Sequence, residues 1–140
     1  MKRKLMIIED DSLIRNELKA LLISNGYEVS VPDEFLNIVA LVKAEQPHLI
    51  LLDIKLPKEN GFTLCSQIRT FSNVPIIFVT SCNSDMDELN SIMLGGDAFI
   101  TKPYNTAILL AKIASLLKRM YPEQQTEKLA GQFCIWNPVF

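Results

Sequence analysis

A chain of 140 residues, 49% of them hydrophobic, is long enough for one domain with a sizeable core and too short for two of ordinary size. A net charge of −2 offers no basic surface to nucleic acid, so any DNA contact would need residues beyond these. Cys65, Cys82 and Cys134 are odd in number, far apart and free of any CxxC pair, which argues against a disulfide framework or a zinc site and for a reduced cytoplasm. The start, MKRKLMIIED, has too short an apolar run for a signal peptide or a membrane span, and the expectation is a soluble cytoplasmic protein without membrane partners.

Leu5 to Ile8 read as a short apolar strand ending in Glu9, Asp10 and Asp11. Asp11 or Ser12 can cap the helix that follows, whose inner stripe is Ile14, Leu18, Leu21 and Leu22. Asn25 and Gly26 stop it, Tyr27 to Val31 form a second strand, and Asp33 opens a helix with Phe35, Ile38, Val39 and Val42 on its apolar side. After Pro47 comes HLILLDIKLP. Its four consecutive aliphatic residues, Leu49 to Leu52, lack polar alternation and so predict a strand covered on both faces, ending abruptly at Asp53.

Ile54 to Gly61 read as a loop in which Pro57 fixes the backbone and Asn60 with Gly61 makes a turn. A helix from about Phe62 to Thr70 turns Leu64, Ile68 and Phe71 inward. Pro75 precedes a fourth strand, Ile76 to Val79, that ends at Thr80. Beyond a polar segment lies a helix closed near Leu94 by Gly95 and Gly96. Ala98 to Ile100 form a fifth strand followed by Thr101, Lys102 and Pro103, and a last helix from about Asn105 to Met120 carries Leu109, Ile113, Leu116 and Leu117. Five strands alternating with five helices over short connections predict an α/β fold, a doubly wound parallel sheet.

In the flavodoxin-like strand order 2-1-3-4-5, the first and third strands are neighbours at the topological switch point. Glu9, Asp10 and Asp53 then crowd one sheet edge, where two carboxylates 4 Å apart repel by roughly 4 kcal/mol at an effective dielectric near 20. Such a cluster needs a cation, and hard oxygen ligands suit Mg²⁺ better than zinc. Thr80 and Lys102 reach the same edge with a hydroxyl and a point positive charge, groups that hold phosphate. An aspartate between Mg²⁺ and a lysine can act as a nucleophile toward phosphorus, and Asp53 is the one acid on the central strand.

The stretches IIEDD, LILLDIKLPKENG, IIFVTS and DAFITKP, in this order, closely resemble the receiver domain of bacterial two-component response regulators, over about Lys4 to Arg119. The resemblance implies a CheY-like fold in which Asp53 accepts a phosphoryl group from a sensor histidine kinase. It implies that Asp10, Asp53 and the backbone carbonyl of Lys55 ligate Mg²⁺, with Glu9 acting through water. It further implies that Lys102 contacts the phosphoryl oxygens and that the Lys102–Pro103 bond is cis. Thr80 and Phe99 would be the switch, coupling the phosphate to the face made by the fourth helix, fifth strand and fifth helix. Lys55 and Cys82 occupy positions at which receivers vary phosphate lifetime.

KPYNTAILLAKIASLLKR resembles the last helix of OmpR-like transcription regulators, whose phosphorylated receivers form homodimers through that face. Where that subfamily usually carries an acid and an arginine, this chain has Ile108 and Lys112, and Ala98 replaces a common aspartate. An apolar contact by Ile108 would substitute for missing charged pairs. Residues 1–121 then form the receiver, and 122–140 resemble a linker and the start of a winged-helix DNA-binding domain. The competing explanation is a short extension packing on the receiver or on another subunit. LILLDIKLPKENGF and SNVPIIFVTS are similar to regulators of responses to cell-envelope antibiotics in Gram-positive bacteria.

The expected protein is a signalling switch that phosphorylates and slowly dephosphorylates itself, not an enzyme acting on a diffusible substrate. One rival, a haloacid-dehalogenase-type phosphatase, needs a second acid two residues after the nucleophile, where this chain has Lys55. A second is a receiver-like module that binds partners without phosphorylation, although such modules usually lose part of the pocket. A flavin carrier is disfavoured by the acidic turn after the first strand. Taken singly, Asp11 reads as a helix cap, Asp85, Asp87 and Glu88 as solvated first-turn residues, His48 as an exposed edge residue, and the cysteines as packing.

Overall fold

Short apolar runs alternate with amphipathic stretches to build β1 (Lys4–Ile8), α1 (Ser12–Ser24), β2 (Glu28–Ser30), α2 (Ile38–Glu45), β3 (Leu49–Leu52), α3 (Gly61–Arg69), β4 (Ile76–Thr80), β5 (Ala98–Thr101) and α4 (Thr106–Met120). These are the elements of a computed structural model that describes residues 2–32, 37–56, 60–81 and 95–122. The helix expected to end near Leu94, the opening of the second helix at Asp33 with Phe35, Pro57, Cys82 and the segment from 123 to 140 lie outside the described residues. The strands form one parallel sheet in the order β2-β1-β3-β4-β5.

Strand periodicity divides the core in two. Leu5, Ile7, Leu49, Leu51, Ile77 and Val79 pack on one face against Leu18, Leu22, Leu109, Ile113 and Leu116 of α1 and α4. Met6, Ile8, Ile50, Leu52, Ile76 and Phe78 face the other way, onto Ile38, Val42, Leu64 and Ile68 of α2 and α3. Every residue of β3 is therefore covered on its own side, which is why the strand shows no polar alternation. Each such buried aliphatic side chain contributes on the order of 1.5–3 kcal/mol. The register Ile7↔Leu51 and Ile8↔Leu52 brings β1 and β3 to the same edge together, so that Glu9 and Asp53 leave the core side by side.

Caps set the helix limits. The Asp11 carboxylate accepts from the N–H groups of Leu13 and Ile14, Asn60 from Phe62, and Asn105 from Ile108. Asn60 and Gly61 are thus the start of α3 and not a turn in the preceding loop. The second strand is also shorter than predicted, with Tyr27 and Val31 packing on the core from outside the ladder. Phe71, expected to point inward, is 38% exposed and lies beneath the Lys43 ammonium at 4.9 Å, because α3 ends at Arg69 and the chain turns outward. His48 is half-buried, not an exposed edge residue. Its Nδ1 accepts the Lys4 N–H at 2.9 Å while its own backbone N–H donates to the Lys4 carbonyl at 2.7 Å, tying the entry of β3 to the start of β1.

Candidate functional site: an acidic cluster with one lysine

At the carboxyl edge of the sheet, three chain segments converge. Glu9 and Asp10 follow β1, Asp53 follows β3, and Lys102 follows β5. Glu9 and Asp53 are the buried charged residues among those described, at 3% and 6% exposure, whereas Asp10 is exposed. One carboxylate oxygen from each of the three acids lies within 4.8 Å of the others. The Lys102 Nζ stands 2.7 Å from Glu9 Oε1 and 3.3 Å from Asp53 Oδ2, leaving the cluster short of positive charge.

The electrostatics follow from this geometry. Burial raises the Glu9 carboxyl from 4.5 to about 7, against the pull of the Lys102 hydrogen bond and with the Asp53 charge adding to the rise. Burial also opposes the charge on Lys102, yet the hydrogen bond to Glu9 and the Asp53 carboxylate outweigh it and raise the ammonium above its ordinary value. Backbone donors fix the carboxylates in place. The Asp11 N–H donates to Glu9 Oε2 at 3.1 Å and the Lys55 N–H to Asp53 Oδ1 at 3.1 Å, while the Arg15 side chain donates to the Glu9 backbone carbonyl at 3.1 Å.

Of the residues singled out from the sequence, Glu9, Asp10, Asp53, Lys55 and Lys102 come together. Thr80 ends β4 at the same edge, paired in register with Thr101. Phe99 is partly buried against the α2–α3 side of the core, two register steps before Thr101 at the edge. The Lys102–Pro103 bond is cis. Ile108, 54% exposed, and Lys112 lie on the solvent side of α4, away from the cluster.

Gly61 is the residue whose role the sequence concealed. Its N–H donates to the Ile54 carbonyl at 2.7 Å, and a Cβ there would fall on the carbonyl oxygen of Asp53 and within 2.8 Å of the Ile54 Cα. The start of α3 is pressed against the backbone that carries Asp53, an approach only glycine permits. In the sequence, Asn-Gly after a proline-bearing loop signals a turn equally well.

The cluster offers hard oxygen ligands with no nitrogen or sulfur among them, a donor set that fits Mg²⁺. A model of the response regulator receiver domain matches residues 5–114. This chain belongs to the response regulator receiver domain family. Receivers bind Mg²⁺ at an acidic pocket, and Glu9, Asp10 and Asp53 make such a pocket here. The transcriptional regulatory protein YvcP of Bacillus subtilis, described as uncharacterized, is 43% identical over 121 residues, which cover 86% of this chain and 51% of that protein. Sensory transduction protein BceR of Halalkalibacterium halodurans is 40% identical over 126 residues, covering 89% and 54%. The N-terminal domain of the nisin resistance regulator NsrR, a lantibiotic response regulator, matches this receiver at a TM-score of 0.77 and 42% identity, covering 84% of this chain and 99% of that one. These relatives are transcriptional response regulators of the OmpR-like type. The chain spans about half the length of the curated relatives it matches. Among the described residues, no helix is long and apolar enough to cross a membrane.

Proposed function

We propose that Asp53 of this receiver accepts a phosphoryl group from a sensor histidine kinase. The observation that carries the proposal is the Asp53 carboxylate held at the sheet edge between two further acids and the Lys102 ammonium. Asp10, Asp53 and the Lys55 carbonyl would hold Mg²⁺, with Glu9 reaching it through water, and the metal would neutralise charge on the transferring group. An Asp53 oxygen attacks phosphorus in line, a P–O bond forms as the P–N bond of the phosphohistidine breaks, and the histidine leaves with its electron pair. Lys102, now paired with Glu9 and Asp53, moves onto the new phosphoryl oxygens, and the Thr80 hydroxyl closes on another. Phe99 follows inward, and the change reaches the exposed face of α4.

Phosphorylation then favours a homodimer through that face, with Ile108 supplying an apolar contact, and the dimer acts on transcription through an attached DNA-binding domain. The similarity to the NsrR receiver favours a response to peptide antibiotics acting on the cell envelope. A receiver-like module regulated without phosphorylation is the second reading, and the retained acids and lysine speak against it. Treatment with acetyl phosphate and Mg²⁺ tests the first. An adduct removed by neutral hydroxylamine, the behaviour of an acyl phosphate, supports carboxylate phosphorylation, and a hydroxylamine-resistant adduct counts against it.

A further inference from the structure

At the pole of the sheet opposite the acidic cluster lies a groove of about 620 Å³, bounded by the ends of α2 and α4, the start of β3 and the segment joining α3 to β4. Val42, Phe71, Val74, Met120 and Tyr121 give it apolar walls, and Lys43 stands beside the Phe71 ring. Phe71 and Met120, 38% and 42% exposed, are two of five large apolar side chains that the described residues leave in solvent. Neither belongs to the acidic site. Paired in one concavity, they form a surface that a partner would cover.

The course of the chain indicates which partner. Tyr121, itself part of the wall, is held from three sides. Its hydroxyl donates to the His48 carbonyl at 3.1 Å, its ring meets the His48 imidazole edge-on at 5.2 Å, and the Arg3 guanidinium lies 4.6 Å from the ring centre. The chain therefore leaves α4 at the lip of the groove. Next comes the polar stretch PEQQTEK, residues 122–128, then LAGQFCIWNPVF, residues 129–140, with Phe133, Ile135, Trp136, Val139 and Phe140. Seven residues span at most about 25 Å, ample to double back on a site that begins at Tyr121. Charge points the same way. The stretch 122–128, with Glu123 and Glu127 against the single Lys128, is net acidic and follows an exit flanked by Lys43, Arg3 and the last-turn cations Lys118 and Arg119.

We propose that the segment Leu129–Phe140 of this same chain seats its apolar side chains in this groove, covering Phe71 and Met120. Trp136 is the single tryptophan of the chain and reports the seating directly. In residues 1–140, Trp136 emission is expected to be blue-shifted and at least twofold less quenched by acrylamide than in Phe71→Glu. Ile108→Glu, on α4 away from the groove, should quench like the wild type. If Phe71→Glu loses the native circular dichroism, Asn73→Arg, at an exposed position of the wall, obstructs the groove without entering the core. Trp136 quenched in the wild type as freely as a tryptophan amide in water overturns the proposal. So does shielding unchanged by the natively folded groove variant, or shielding that grows with protein concentration alongside a dimer in sedimentation, which would make a second copy the occupant.

Discussion

Lys102 is the cation on which the acidic cluster depends while no metal is bound. Its removal leaves Glu9 and Asp53 buried against each other without compensation, a situation that typically costs 3–5 kcal/mol for a buried pair. Lys102→Ala is expected to lose about 3 kcal/mol in urea unfolding at pH 8 without metal, and to recover part of it in millimolar Mg²⁺. Protonation of Glu9 provides the other relief. Its folded value of about 7 lies above the 4.5 of an ordinary glutamate, so the folded state holds this proton more tightly than the unfolded chain. The resulting stabilisation is complete below pH 4.5 and is lost as pH rises through 7, by up to about 3 kcal/mol. The stability difference between wild type and Glu9→Gln, followed by metal-free unfolding from pH 4.5 to 8, should show this slope. The same proton competes with metal, so below pH 7 Mg²⁺ affinity should fall about tenfold per pH unit at the limit. Isothermal titration at pH 7.5, 6.5 and 5.5 measures it.

At the scale of elements, the strands were legible because a sheet buried on both faces leaves unbroken apolar runs, and Asp53 stood out as the acid that ends the run of the central strand. Helix stripes such as Leu109, Ile113, Leu116 and Leu117 were legible for the same reason, one face being covered. Close approaches between elements were not. Pattern and propensity carry no information about the α3 start lying on the Asp53 backbone, nor about His48 serving as an acceptor for β1. Phe71 shows the related failure, since its apolar character continued the α3 stripe while the helix itself had already ended. Gly61→Ala tests the close approach. The added Cβ must push Asp53 or Ile54 aside, so Mg²⁺ affinity should fall at least tenfold along with a stability loss of about 2 kcal/mol. A loss of stability with unchanged Mg²⁺ affinity would separate α3 from the placement of Asp53.

For the molecule as a whole, the acidic edge and the solvent face of α4 are distinct surfaces, and β5, which carries Phe99, leads into Lys102 at that edge. A switch that reads phosphate at one surface and association at the other must show mass action. Sedimentation velocity of residues 1–140 at micromolar concentration is expected to give a monomer without phosphoryl donor and a dimer with it. Ile108→Glu should weaken the phosphorylated dimer at least tenfold while leaving adduct formation intact. Everything at this scale depends on the chemistry at one carboxylate. The most direct test is intact mass after incubation with Mg²⁺ and acetyl phosphate, comparing wild type with Asp53→Ala. A single phosphoryl adduct in the wild type, absent from the variant, is the predicted result. An equal adduct on both proteins, or none on a wild type that binds Mg²⁺, would contradict Asp53 as the phosphoacceptor.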